Sequence, residues 1–377
     1  MGKRELVLIS IFVVLGICVY QFTAPDAGGE DVSIGGIVNK IRRNIRGARA
    51  TAPADSAQAV PVDAAVRELR INLSRASDLT VTGEDRSDIS AELHAVGRGY
   101  DDSEAKTVAA TATLRVERNG DAVVVSMDQA MPPRSMPRNT RLEQLTIVLK
   151  VPRRLALRVE PHVGRLVVTD LASAEIMGSR GETRLQNIAG HVQLAHTGGK
   201  LEIDGVNSLK LSSRNSNGTI ARVNGMATLD LTGGELRLES VTGPLDVEAR
   251  NTELTLDAAK TAKPPFRFNG SGGELHVSSL RTEARIDGRN TDIEVVMQAA
   301  APLTIYNTGE NIHVTAPPTG YTLDAIATEG RLDIADGTLK PQEDGDARIN
   351  GAVRGGGPTL SLRATRGDIT VRKPEGK

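Results

Sequence analysis

Asp287 and Asp292 are the residues whose chemistry would matter most if the fold brought them together. Two carboxylates on neighbouring turns can share the breaking of a glycosidic bond, one donating a proton and the other acting as base or nucleophile. A glycan cleft also wants aromatic rings for sugars to stack on. Tyr306 and Tyr321 are the aromatics on offer, in a chain with 2% aromatic residues and no tryptophan. A sugar site is therefore poorly supplied.

Other side chains invite weaker readings. His191 and His196 could be metal ligands, but a separation of five has no fixed meaning across a strand and a turn, and no third ligand accompanies them. His276 and His313 hold equivalent places in successive units, Leu275-His276-Val277 and Ile312-His313-Val314, where strand alternation turns both toward solvent. Asp333, Asp336, Glu343, Asp344 and Asp346 gather near Gly337 and Gly345 without the ligand order of a calcium loop. Arg366-Gly367-Asp368 spells the integrin-binding tripeptide, yet it is also a glycine turn leading into the strand Ile369-Thr370-Val371. No phosphate-cradling glycine loop, zincin signature or nucleophile elbow is present. The sequence assigns no catalytic, cofactor-binding or metal-binding residue, and no cofactor.

The elements that would position such residues are repetitive. Val163-Gly164-Arg165-Leu166-Val167-Val168, Gly198-Gly199-Lys200-Leu201-Glu202-Ile203, Gly233-Gly234-Glu235-Leu236-Arg237-Leu238 and Gly272-Gly273-Glu274-Leu275-His276-Val277 open successive units 35, 35 and 39 residues apart. A second marker, Arg180-Gly181, Arg214-Asn215, Arg250-Asn251 and Arg289-Asn290, keeps step at intervals of 34, 36 and 39. Periods in this range mark solenoids or arrays. The longer third unit holds Lys263-Pro264-Pro265, which reads as a loop inserted between coils.

Each unit carries short apolar-x-apolar segments, such as Leu201-Glu202-Ile203, Leu209-Lys210-Leu211 and Leu229-Asp230-Leu231. They follow one another too closely for helical crossovers, which need a dozen or more residues. The expected fold is therefore all-β: a right-handed parallel β-solenoid, β-helix-like, with about 18 residues and two segments per turn. From Gly164 to Val371 this predicts on the order of 11 turns, roughly 50 Å at strand spacing. Glycine, with 38 copies, and asparagine serve the corners by accepting left-handed backbone.

Ahead of the repeats the pattern changes. Leu6 to Phe22 is an apolar run of 17 residues preceded by Lys3 and Arg4, long enough for one transmembrane helix near the lower limit. A cleaved signal peptide would need cleavage at Phe22-Thr23-Ala24 before Pro25, and lipidation of Cys18 would follow Ile17, so both fit less well than an uncleaved anchor. With a single cysteine, no intrachain disulfide can form. Lys3 and Arg4 send the C-terminal part across the membrane, while Lys40, Arg42, Arg43, Arg46 and Arg49 pull the other way from farther off. Ile34, Ile37, Val38, Ile41 and Ile45 fall at helical spacing opposite those basic residues, as in a helix lying on anionic lipid or one with a solvated face. Residues 48–61, rich in Ala, Pro, Ser and Gln, read as a flexible linker. Between Val66 and Glu160 strands dominate: Leu69-Arg70-Ile71-Asn72-Leu73, a hairpin turning at Asn119-Gly120, the loop Met131 to Pro137, and the long strand Leu145 to Pro152.

The passage Leu145-Thr146-Ile147-Val148-Leu149-Lys150-Val151-Pro152, then Leu157-Arg158-Val159 and Gly164-Arg165-Leu166-Val167-Val168, resembles a bacterial β-strand-repeat family known as putative adhesins. Gly355-Gly356-Gly357-Pro358-Thr359-Leu360-Ser361-Leu362 and Arg366-Gly367-Asp368-Ile369-Thr370-Val371 extend the likeness to the end. The resemblance spans residues 66–372. It implies a β-repeat fold and brings no catalytic motif.

The expected organisation is an anchor (1–24), a juxtamembrane amphipathic segment and linker (25–65), a β-rich capping module that leads into the repeats (66–160) and the solenoid (161–373). The expected function is non-enzymatic: an inner-membrane, single-pass protein presenting the solenoid in the periplasm or outside the cell, for adhesion or for contact with an envelope protein or polymer. The alternative is a polysaccharide-acting β-helix enzyme, lyase or hydrolase. A net charge of −1 gives no field for nucleic acid.

Overall fold

The computed structural model describes residues 49–129, 140–258, 265–335, 339, 342 and 346–374. The anchor segment 6–22 with Cys18, the basic segment 34–46, the loop 131–137, and Lys263 with Pro264 lie outside these residues. Among the described residues no helix is long and apolar enough to cross a membrane. Among the described residues the protein is all-β, with 71% in strands and 3% in helix.

The chain divides into two compact units. The first comprises Met1–Pro53, Val96–Ala109 and Pro132–Glu143. Its helix, Asp102–Ala109, is an element the strand pattern does not announce. Asp101 caps it by accepting from Glu104 N at 2.9 Å, and Glu104 reaches back to accept from Tyr100 N at 3.1 Å. This reciprocal arrangement satisfies the donors that a helix start leaves free. Gly97 and Gly99 let the helix approach: a Cβ on Gly97 would stand 2.1 Å from Ala105 O.

The second unit, Ala54–Ala95, Ala110–Met131 and Gln144–Lys377, holds the repeats. Its strands stack in parallel with their own copies. On one sheet Leu209 pairs with Ala227 and Ala227 with Leu245; on the other Leu236 pairs with Leu254 and Leu254 with Leu275. One coil is strand, corner, strand, corner, and bonds between side chains of successive coils fall 17 or 18 residues apart, as for Arg158 with Glu175 and Arg184 with Glu202. The register steps from Leu245 to Phe266 where the third unit is longer. The pattern in the sequence is therefore two coils long.

The corner chemistry explains that doubling. Asn215, Asn251 and Asn290 have φ of 51°, 49° and 51°, and Gly233, Gly272 and Gly309 occupy the same corner one coil later with φ of 68°, 74° and 99°. A Cβ on Gly233 would lie 2.5 Å from Asn215 Oδ1, on Gly272 2.4 Å from Asn251 Oδ1, and on Gly309 2.1 Å from Asn290 Oδ1. Asparagine and glycine must alternate because the amide fills the space a second side chain would need. The hydroxyls of Thr252 and Thr291 tie the corner by donating to Arg250 O and Arg289 O.

Between the sheets, inward positions carry Leu, Ile and Val: Leu229, Leu231, Leu236, Leu238 and Val241 are 0–1% exposed. Each contributes about 1.5–3 kcal/mol by leaving water. The interior is narrow, and Phe266, Phe268 and Tyr321 are among its few rings.

At both ends the stack departs from chain order. Glu68–Asn72 pairs in parallel with Ala122–Gln129 on one side and Ala156–Val159 on the other. Asp78–Glu84 likewise lies between 146–152 and Leu166–Thr169. At the C-terminus Thr359–Thr365 is inserted between Leu303–Thr308 and Tyr321–Thr328, and Ile369–Arg372 between Ile312–Thr315 and Leu332–Ile334. An antiparallel strand then covers each outer coil: Ala112–Asn119 on Ala122–Gln129, and Ala347–Val353 on Tyr321–Thr328. Those strands occupy edges that would otherwise invite foreign pairing. Ala156–Val159 pairs with both Glu68–Asn72 and Ser173–Arg180.

One expectation is corrected. Residues 48–61 read as a flexible linker, but Ala50–Pro61 is a 12-residue strand paired with Asp88–Gly99. An edge strand is held by backbone hydrogen bonds and needs little apolar content, and Pro53 is tolerated at an edge. Gln58 adds a side-chain tie by donating to Leu114 O at 2.8 Å.

Candidate functional site

The carboxylates of the glycosidase reading are parted by a corner. Asp287 belongs to Ala284–Arg289, where it pairs in register with Tyr306 and accepts from Arg285 Nε at 2.9 Å. Asp292 begins the strand Asp292–Met297 on the other sheet, in register with Glu274. Both are outward positions, on strands that enter and leave the corner at Asn290 and Thr291, and neither carboxylate is in register with the other. Tyr321 is 1% exposed and unavailable to a sugar. Tyr306 is exposed, with the Arg285 guanidinium 5.5 Å from its ring centre.

The histidines separate into two kinds. His191 is exposed, with Nδ1 3.1 Å from Ser208 Oγ. His196 points inward and is 1% exposed. It donates from Nε2 to Gly181 O at 3.2 Å, which leaves Nδ1 facing Ser216 Oγ at 2.8 Å. The two rings thus face opposite sides of the strand and share no ligand. Among the described residues no three His, Cys, Asp or Glu side chains are already gathered to hold a metal. Of the acidic group near Gly337, only Asp333 and Asp346 are described, and Asp346 pairs with Arg348 at 3.2 Å.

In Arg366-Gly367-Asp368 the tripeptide is a coil corner. Arg366 takes φ of 58°, Gly367 is buried with no room for a Cβ against Glu310 O, and Asp368 Oδ1 accepts from Arg331 N at 2.9 Å. Its carboxylate is engaged by the fold. His276 and His313 do face outward, and His276 Nδ1 stands 2.9 Å from Glu294 Oε2.

No known family's sequence profile and no curated protein sequence matches the chain. A putative cell adhesion protein from Clostridium sporogenes is similar at 9% identity, over 86% of this chain and 100% of its own, with a TM-score of 0.20. A putative adhesin from Parabacteroides distasonis gives 10% identity, 70% and 97% coverage and a TM-score of 0.37. A putative lipid binding protein from the same organism gives 12%, 67% and 94%, and 0.25. At these values they decide neither fold nor function.

A feature that single-residue reasoning passes over is a polar stripe inside one corner. His162, Ser179, His196 and Ser213 recur every 17 residues. His162 pairs in register with Ser179, and Ser179 with His196. All four are 1–4% exposed. Burial holds both imidazoles below their usual pKa, offset in part by backbone at Arg165 and Ser77 and by the Asp78 charge for His162, and by Gly181 for His196. The backbone near His162 falls outside hydrogen-bond geometry, so neither ring nitrogen has a partner among the described protein groups. The 17-residue recurrence of small or imidazole side chains was the available signal.

On the outer surface a shallow groove of about 250 Å³ crosses four strands, lined by Glu175, Met177, Gln193, Lys210, Ser212 and Asp230 among others. Glu175 is paired at its rim with Arg158 at 3.1 Å. The groove offers hydrogen-bonding groups and one exposed apolar side chain, Met177, and no juxtaposed acid and base.

Proposed function

We propose that this protein is a non-enzymatic, membrane-anchored envelope protein that presents a rigid stack of parallel coils for adhesion or for contact with another protein or polymer. The observation that carries this reading is the placement of Asp287 and Asp292 on different sheets, each among outward side chains that are in register with their neighbours. A glycoside hydrolase needs two carboxylates flanking one bond, about 5–9.5 Å apart, and here each aspartate is aligned with other partners, Asp287 with Tyr306 and Asp292 with Glu274. The outer surface instead repeats charged and hydroxyl side chains rung by rung, as in the ladder Thr228, Asp246, Arg267, Arg285 and Thr304. Such a surface recognises extended partners by repeated polar contacts.

The coil is right-handed, the hand favoured by parallel crossovers. Residues 6–22 anchor the chain in the inner membrane, with the coils in the periplasm or outside the cell. The putative-adhesin resemblance of residues 66–372 implies the β-repeat fold of this reading and brings no catalytic motif.

The test is cross-linking in the native envelope, combined with protease added to spheroplasts. Recovery of an envelope protein or polymer on the coils, and digestion of the coils from outside, support the reading. Protection of the coils while the cells remain sealed overturns the location. Glycan cleavage that is lost in both Asp287→Ala and Asp292→Ala overturns the non-enzymatic assignment.

A further inference from the structure

We propose that the outer face of three successive coils holds a divalent transition-metal ion of the zinc class, bound by His276, Glu294 and His313. His276 and Glu294 are in register on neighbouring strands, and Glu294 and His313 are in register on the next pair. All three occupy outward positions of one column, with strands about 4.8 Å apart.

Two of the donor atoms are already placed. His276 Nδ1 and Glu294 Oε2 are 2.9 Å apart. Zinc–nitrogen and zinc–oxygen bonds of about 2.0–2.2 Å at a tetrahedral angle set two ligand atoms roughly 3.4 Å apart. A cation replacing the bridging proton therefore needs a separation only about 0.5 Å larger. His313 flanks Glu294 from the far side, and its Nδ1 is enclosed without a hydrogen-bond partner among the described protein groups. It is the one side chain that must turn. Two imidazoles two strands apart, about 10 Å between Cα atoms, can meet an ion above the intervening glutamate.

The surrounding charge favours a cation. Glu235, Glu253, Glu274 and Asp292 form the adjacent outward column in unbroken register, so four carboxylates are stacked directly over one another. Like charges so placed destabilise a ladder. The nearest rungs of the histidine column are Thr255 and Thr370, and neither brings a competing cation. Two imidazoles with one carboxylate select zinc, copper or nickel over calcium and magnesium, which take oxygen ligands.

The test uses the untagged full-length protein in detergent, titrated calorimetrically with zinc chloride and then with calcium chloride, beside the absorption spectrum of the cobalt(II)-loaded protein. One zinc per chain is expected, with calcium much weaker and a visible cobalt band of tetrahedral form. His276→Gln, Glu294→Gln and His313→Gln should each weaken zinc at least about tenfold, since losing a mere outer partner of a metal ligand costs that much. The exposed His191→Gln should not. Glu294 is exposed and both histidines are half-buried, so unchanged circular dichroism of each variant is needed to show that it folds. No zinc uptake, equal uptake by the His276→Gln/His313→Gln double variant, or equal affinity for calcium overturns the proposal.

Discussion

Asn251 and Gly272 stand over one another at the same corner of successive coils, so close that a Cβ on Gly272 would lie 2.4 Å from Asn251 Oδ1. The next residue, Gly273, is held still more firmly: φ is 84° and a Cβ would meet Thr252 O at 2.3 Å. Gly120 in the hairpin turn also has positive φ, 65°, but nothing lies within 4 Å. Gly120→Ala should therefore cost only the left-handed penalty, about 1–2 kcal/mol. Gly273→Ala adds displacement of backbone and should lower the denaturant midpoint clearly further. Equal midpoints for the two variants would show that the corner is not sterically closed.

The interior histidines make stability depend on pH in a stated direction. His162 and His196 have folded pKa values below the ordinary 6.5, so the folded state binds fewer protons than the unfolded chain. Their contribution is complete above about 6.5 and is lost as pH falls through the lowered folded values. Each adds at most about 1.4 kcal/mol per pH unit across that window. Denaturant melts between pH 7 and 5 should show the decline, and His162→Leu should flatten it. An unchanged slope in that variant would exclude His162 as a source.

The C-terminal coil is an inner one, and truncation should reveal this. Removing residues 357–377 takes out Leu360, Leu362, Ile369 and Val371, all 0–2% exposed, and uncovers the strands on either side. At about 1.5–3 kcal/mol for each side chain, the loss is a large part of the stability of most domains. Full retention of the thermal transition in the truncated protein would contradict the observed coil order.

Asp368 is expected to matter for folding and not for cell attachment. Asp368→Ala removes the acceptor of Arg331 N and should cost about 0.5–1.5 kcal/mol in a urea melt. Attachment of integrin-bearing cells to immobilised protein should be the same for both forms. A loss of attachment with Asp368→Ala would restore the tripeptide reading.

Much of the repeat was legible because its causes are local. Alternation of Leu229-Asp230-Leu231 declares a strand with one buried side, and Arg250-Asn251 followed a coil later by Gly272-Gly273 declares a corner that needs left-handed backbone. The strand Ala50–Pro61 was not legible, since an edge strand is made by its partner's free backbone groups more than by its own composition. The helix Asp102–Ala109 carried its capping signal, Asp101 and Glu104, but is short and weakly apolar. The separation of Asp287 from Asp292 depended on Asn290 and Thr291 forming a corner between them.

By itself the sequence determined that the chain forms coils, about how long they are, and which residues turn their corners, because alternation and backbone preference act within a few residues. The tertiary structure decided the order of the coils at both ends, which outward residues share a column, and that His162 and His196 lie inside. Parallel ladders accept any strand with the right inward pattern, so Thr359–Thr365 and Tyr321–Thr328 could each have followed Leu303–Thr308. Only the packing of the whole stack, with Ala347–Val353 covering the outer coil, selects between them.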